Sequence, residues 1–250
     1  MHGRLQGIIG LMMLGILLTS CAALRLPEPV RAPLQAVVVT TADWDRIDGV
    51  LQAYERQNGD VPWERIFEQI PVVVGRNGMG WGTGVHPLPL PEGPVKQEGD
   101  GKAPAGIFRL SSAFGYAPAG EVSRIGMPYR QATAELLCID DVRSAYYNRL
   151  VDTTRVKADW QGYEKMHRRD DLYRFGIVVD HNMNPTVAGK GSCIFMHIWQ
   201  GPSEGTAGCT AMAAQHLERL ILWLSPVALP ILIQLPEPEY GRLRTPWCLP

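Results

Sequence analysis

Residues 196–211 read MHIWQGPSEGTAGCTA and place His197 twelve positions before Cys209. His197 lies near the end of an apolar run over 192–199, SCIFMHIW, which predicts a strand. Cys209 follows a flexible Thr-Ala-Gly approach. After it, Ala213, His216 or Leu217, Leu220 or Ile221, and Leu224 fall on one stripe, predicting a helix over 210–224 that Ser225-Pro226 stops. Cys209 would then open a helix. A thiol is a useful nucleophile only as thiolate, and both a neighbouring imidazole and a helix N-terminus favour that form. Cys209 is therefore a candidate nucleophile and His197 its candidate general base and acid. Gly208 lets backbone approach a substrate carbonyl, the N–H groups of Gly208 and Cys209 are candidate oxyanion donors, and Thr206 could hold the turn by a hydrogen bond. Two other readings compete: a buried structural cysteine with an unrelated core histidine, and a metal site of His181, His197, Cys193 and Cys209. That set lacks the tight spacing of zinc ligands, so neither metal nor cofactor is expected.

Working outward, apolar runs predict further strands at 35–40, 70–74, 175–180 and 230–235, the third delivering His181. Thr41 as an N-cap, with Trp44, Ile47, Leu51 and Tyr54 at helical spacing, predicts a helix over 42–57. The glycine-rich run GRNGMGWGTG at 75–84 lacks the Lys-Ser/Thr of a phosphate cradle and reads as a turn-rich hairpin. A proline-rich loop follows at 87–95, then GDGKAPAGIFRL at 99–110, turn residues in front of a strand. The fold class is mainly β, with an antiparallel core and two packed helices.

At 250 residues and 46% apolar content, the chain can bury one substantial core. Its net charge of −1 gives no basic field for nucleic acid, which is excluded as a partner. Arg4, an apolar run and Leu18-Thr19-Ser20-Cys21 predict an export signal over 1–20 whose end resembles a lipobox, with Cys21 lipidated. Cleavage near Ala22-Ala23, or an uncleaved anchor, are the alternatives. Residues 21–34 would be a proline-rich tether, 35–237 the domain and 238–250 a tail. The expected location is the periplasm, anchored by lipid in the inner leaflet of the outer membrane. Thiols tend to pair there, and Cys138 with Cys193 is the preferred bridge if Cys209 stays free.

Residues 138–171 turn charged and aromatic and read as an insertion. Its Asp140, Asp141, Arg143, Arg149, Arg168 and Arg169, with Tyr146, Tyr147 and Trp160, could grip a charged peptide. The plainer alternative is a solvated face.

GDGKAPAGIF, His197 on its strand and Thr206-Ala207-Gly208-Cys209, in that order, resemble the L,D-transpeptidase (YkuD-type) catalytic domain over about 37–235, in a branch with HIW and TAGCTAM wording. The resemblance implies a β-sandwich core with a helix after the nucleophile, and a transferase acting on peptidoglycan stem tetrapeptides. Cys209 would form a thioester with release of D-Ala, then pass the acyl group to an amine. A wall-linked lipoprotein is a further possible partner, and hydrolysis or silent wall binding are the alternatives. Tyr147, Arg143, Arg149, His181 and Trp199 are the candidate substrate contacts. Ala207 and Ala211 stand where many members carry His and Arg or Asn, and the His-to-Cys interval is shorter than usual. Those departures bear on acceptor choice, not on the nucleophile.

Overall fold

The computed structural model describes residues 32–88 and 90–250. The expected export signal, Cys21 and most of the expected tether lie outside the described residues. In chain order come β1 (Gln35–Thr41), β2 (Asp48–Glu55), β3 (Glu64–Arg65), β4 (Ile70–Val73), β5 (Met79–Trp81), β6 (Ala103–Gly115) and β7 (Tyr129–Gln131). They are followed by β8 (Leu136–Ile139), β9 (Leu150–Asp152), β10 (Tyr163–Lys165), β11 (Phe175–Val179), β12 (Phe195–Ile198) and β13 (Thr210–Met212). Helix α1 (Ala214–Trp223), β14 (Ile231–Pro236) and α2 (Glu237–Leu243) complete the described chain.

Strand β1 is a valine run buried on both faces, its side chains packed in the main core, and it has a paired neighbour along each edge. It pairs antiparallel with β2, Gln35↔Glu55 through Thr41↔Gly49, and parallel with β14, Ala36↔Ile231 through Thr41↔Pro236. From β14 the ladder continues through β6, β11, β12, β13 and β4 back to β2. Eight strands thus close on themselves. This corrects the sandwich expectation: the β1–β2 pairing removes the free edges that would separate two sheets. The mainly β reading with packed helices stands, and all but two of the eight ring pairings are antiparallel, β1–β14 and β12–β13 being parallel. Phe108, Ile107, Met79, Met196, Met212 and Trp81 are fully buried in the main core.

Several local expectations change. Residues 48–55, expected to be helical, form β2, because pairing with β1 and β4 on either side outweighs a helical spacing of four apolar side chains. The turn before it is fixed by Asp43, whose carboxylate accepts from the N–H groups of Asp45 and Arg46. The glycine-rich stretch is turn-rich as expected. However, β5 pairs parallel with β6, Met79↔Ala103 through Trp81↔Ala105, rather than forming a hairpin. Gly78, at φ +73°, lies so close to the Trp44 carbonyl that no Cβ fits. The presumed tail carries α2, and Trp247 beyond it is buried, its ring stacked on His86 at 5.6 Å between centroids.

Residues 136–165 contribute a separate three-stranded sheet in the order β10-β8-β9. It has its own small core of Leu137, Ile139 and Val151, against which Tyr146 and Trp160 pack. These two aromatics pack against the insertion's own core, which accounts for their presence there. The Cys138–Cys193 disulfide, with Cα atoms 5.9 Å apart, ties β8 to the segment entering β12.

Candidate active site

His197 sits on β12 and Cys209 immediately before β13. These strands pair parallel, Met196↔Thr210 and His197↔Ala211. Cys209 is two positions before Ala211, so the alternation of a strand puts Cys209, Ala211 and His197 on one face. All three line a single cavity of about 200 Å³, together with Glu164, Arg168 and Tyr173. The ladder, rather than sequence proximity, brings thiol and imidazole together.

Each group is oriented by hydrogen bonds. The His197 Nδ1–H donates to the Ile198 carbonyl at 2.8 Å, and because a carbonyl only accepts, Nε2 is left as the basic nitrogen. The Cys209 sulfur accepts from the Phe195 N–H at 3.3 Å and its thiol faces the Cys193 carbonyl at 3.6 Å. The Tyr173 ring stands edge-on to the His197 ring, 5.1 Å between centroids, and its hydroxyl donates to Glu164 Oε2 at 3.0 Å.

Burial sets the resting charges. His197 is 7% exposed and Cys209 5%. Desolvation pushes the imidazole down to about 4 and the thiol up to about 12, with Glu164 adding to the rise at Cys209. At neutral pH the pair is thiol and neutral imidazole, not thiolate and imidazolium. The expected helix N-terminus is absent. Thr210, Ala211 and Met212 are claimed by β12 and β4 as strand β13, and α1 starts only at Ala214, so no helix dipole acts on the sulfur. The predicted apolar stripe survives in α1, where Leu217, Leu220 and Ile221 are buried.

The turn before Cys209 is built around Thr206. Its N–H donates to the Val74 carbonyl and its hydroxyl to the Cys209 carbonyl at 2.7 Å. The Gly208 N–H donates to that same hydroxyl at 3.0 Å. Gly208 is therefore committed to the turn, which corrects its assignment as an oxyanion donor. Its φ is +152°, and a Cβ there would lie 3.0 Å from the Lys102 carbonyl. Gly208→Ala is expected to lower stability by about 1–3 kcal/mol, read as a fall in the thermal midpoint, because an L side chain is strained at that φ. An unchanged midpoint would show that the turn tolerates the side chain.

Of the five candidate substrate contacts Arg143, Arg149, Tyr147, His181 and Trp199, Trp199 alone lines the cavity. Arg143 is exposed and pairs with Asp141 and Gln161. Arg149 lines a different cleft with Arg130 and Asp152. Tyr147 is buried and its hydroxyl donates to Glu98. His181 is a core histidine: Nδ1 accepts from the Thr83 N–H at 3.3 Å and Nε2 faces the Lys190 carbonyl at 2.8 Å. Cys193 is in the disulfide, which removes it from the metal set considered above. Among the described residues no group of three or more His, Cys, Asp or Glu is placed to hold a metal.

Sequence reading did not single out Tyr173 and Glu164. Their approach depends on the insertion sheet folding back: β10 carries Glu164 opposite Cys138 on β8, and the disulfide pins β8 near Cys209. The only local signal is a buried tyrosine two residues before a strand. Arg168, noted in the charged run, does reach the cavity.

No protein-family model matches the chain, and no curated protein matches it. Among solved structures, the crystal structure of the helical cell shape determining protein Pgp2 from Campylobacter jejuni is similar at a TM-score of 0.40 and 16% identity. The match covers 80% of this chain and 47% of that one, so the chain spans about half the length of the structure it resembles.

Proposed function

We propose that the protein is a cysteine acyl-transferase of the L,D-transpeptidase type, acting on peptidoglycan stem tetrapeptides outside the cytoplasm. The observation that carries this reading is the shared cavity of Cys209 and His197, with the imidazole held so that Nε2 is its basic nitrogen. The ordered motifs GDGKAPAGIF, HIW and TAGC support it. In this reading the export signal and a lipid on Cys21 place the domain against the wall.

The resting site is neutral, so attack and proton transfer occur together. As the Cys209 sulfur bonds to the carbonyl carbon preceding D-Ala, its proton passes to His197 Nε2. The carbonyl oxygen becomes an oxyanion, met by the Cys209 N–H. Collapse breaks the C–N bond, and the imidazolium returns its proton to the leaving amine of D-Ala. That leaves a thioester. An acceptor amine then adds to the thioester carbon, loses its proton to His197, and expels the sulfur, which recovers a proton from the imidazolium. Atoms and charge balance without a cofactor. Ala207 and Ala211 both line the cavity and, being small, leave room for the acceptor beside the sulfur.

Incubating the protein with purified disaccharide-tetrapeptides and following products by mass spectrometry tests this. Loss of D-Ala with crosslinked dimers is expected. Loss of D-Ala without dimers would replace transfer by hydrolysis. No turnover, with no carbapenem adduct on Cys209, would overturn the catalytic reading.

A further inference from the structure

The charge lining the catalytic cavity is unbalanced. Its ionisable walls, apart from Cys209, His197 and Tyr173, are Glu164, Glu204 and Arg168. The Arg168 guanidinium is already engaged: it pairs with Asp170 at 2.5 Å and lies over the Tyr173 ring at 4.9 Å. Two carboxylates therefore face the cavity against one cation that is neutralised from outside. Glu164 is the better placed of the two, since Tyr173 touches both its carboxylate and the catalytic imidazole. Among the described residues one hydrogen bond, from Tyr173, reaches that carboxylate, and a carboxylate has several acceptor positions.

We propose that Glu164, with Glu204 at the rim, is the specificity-determining carboxylate that receives a cationic amine of the substrate beside Cys209. The inference rests on the acyl-transfer reading for the identity of that amine, an ammonium on a stem-peptide side chain. Its physical basis is separate. An ammonium in a partly desolvated cavity binds where fixed negative charge offsets its lost hydration. The same contact acts on the nucleophile, because Glu164 ionised opposes a thiolate at Cys209 and a cation seated between them removes that opposition. Binding of an amine and activation of the thiol are thus coupled. The basic side chains Lys165, His167 and Arg169 line the adjoining open cleft with Arg168, and they compete with this field from outside.

Two measurements on the full-length protein test the inference. The first uses positively and negatively charged methanethiosulfonate reagents, which report the field at the Cys209 sulfur whatever the natural reaction is. The cationic reagent is expected to modify Cys209 about tenfold faster than the anionic one at low salt, with the ratio falling as salt rises. Glu164→Gln is expected to bring the ratio close to one. Glu204→Gln, at an exposed position that tolerates change, is expected to lower it partway even if the first variant folds poorly. A faster anionic reagent in the wild type, or ratios unmoved by both variants, would overturn the proposal. The second measurement compares tetrapeptides that differ only in whether the third side chain ends in an amine or a methyl group. Glu164→Gln should raise KM for the amine substrate about tenfold and leave the methyl analogue nearly unchanged. A reagent preference without peptide turnover would remove the transpeptidase reading while leaving the cation site. Turnover without any charge preference would remove this inference alone.

Discussion

Cys209→Ala is expected to lower tetrapeptide turnover by about 10⁴-fold or more, with the protein still folded. The reason is that no neighbouring group can replace the sulfur. Apart from His197, the side chains lining the cavity are a hydrogen-bonded tyrosine, carboxylates, an ion-paired arginine, an indole, a leucine, a threonine hydroxyl bonded within its own turn, and small or amide residues. His197→Ala should lose nearly as much, because the thiol sits at about 12 and cannot ionise unaided at neutral pH. The double variant should be hardly worse than either single one, since thiol and imidazole act as one unit. The resting protonation gives an independent check: iodoacetamide should modify Cys209 slowly across the neutral range, the reactive species being the thiolate. Rapid alkylation at pH 7 would contradict a neutral pair. Dimers that persist in Cys209→Ala would mean that the nucleophile lies elsewhere.

The second large effect is on stability. Lowering the pH from 7 to about 4.5 should depress the thermal midpoint by about 20 °C, as roughly 2–4 °C accompanies each kcal/mol in a domain of this size. Three buried histidines, His86, His181 and His197, are each held down to about 4 from 6.5, burial being the main cause. The sign follows directly. The unfolded chain takes up protons near 6.5 and the folded chain does not, so stability is complete above 6.5 and is lost as pH falls through 4. Each histidine accounts for about 3 kcal/mol at full effect. For two of them the chemistry is explicit. His86 Nδ1 accepts from the Ile107 N–H and His181 Nδ1 from the Thr83 N–H, so protonation there breaks a hydrogen bond. Glu164, Asp140 and Asp180 oppose the trend, since burial raises them and they favour the folded state when protonated. A flat midpoint between pH 7 and 4.5, measured by calorimetry, would show that these carboxylates cancel the histidines.

How far the fold could be read from sequence depended on whether an element's pattern admits one solution. Residues 35–40, 70–74, 175–180 and 230–235 are short apolar runs that carry valine or isoleucine, and they became β1, β4, β11 and β14. Residues 48–55 mix apolar and polar positions in a way compatible with either period, and pairing on two sides decided for a strand. Residues 210–212 are similar, being the start of a plausible helix that the edge between β12 and β4 recruited as β13.

The sequence by itself determined the strand-rich class, which depends on local composition and short apolar runs. It offered Cys138 with Cys193 as the preferred bridge and His197 with Cys209 as the candidate chemical pair, but connectivity depends on which residues meet in space, and the fold supplied the bridge. The tertiary structure alone decided that the strands close into a ring, that Cys209 precedes a strand instead of a helix, and that Tyr173 and Glu164 stand over it. It also decided the charge state. A sequence suggests that a thiol can be activated, but desolvation depends on what surrounds the sulfur in space, and here it leaves thiol and imidazole both neutral at pH 7.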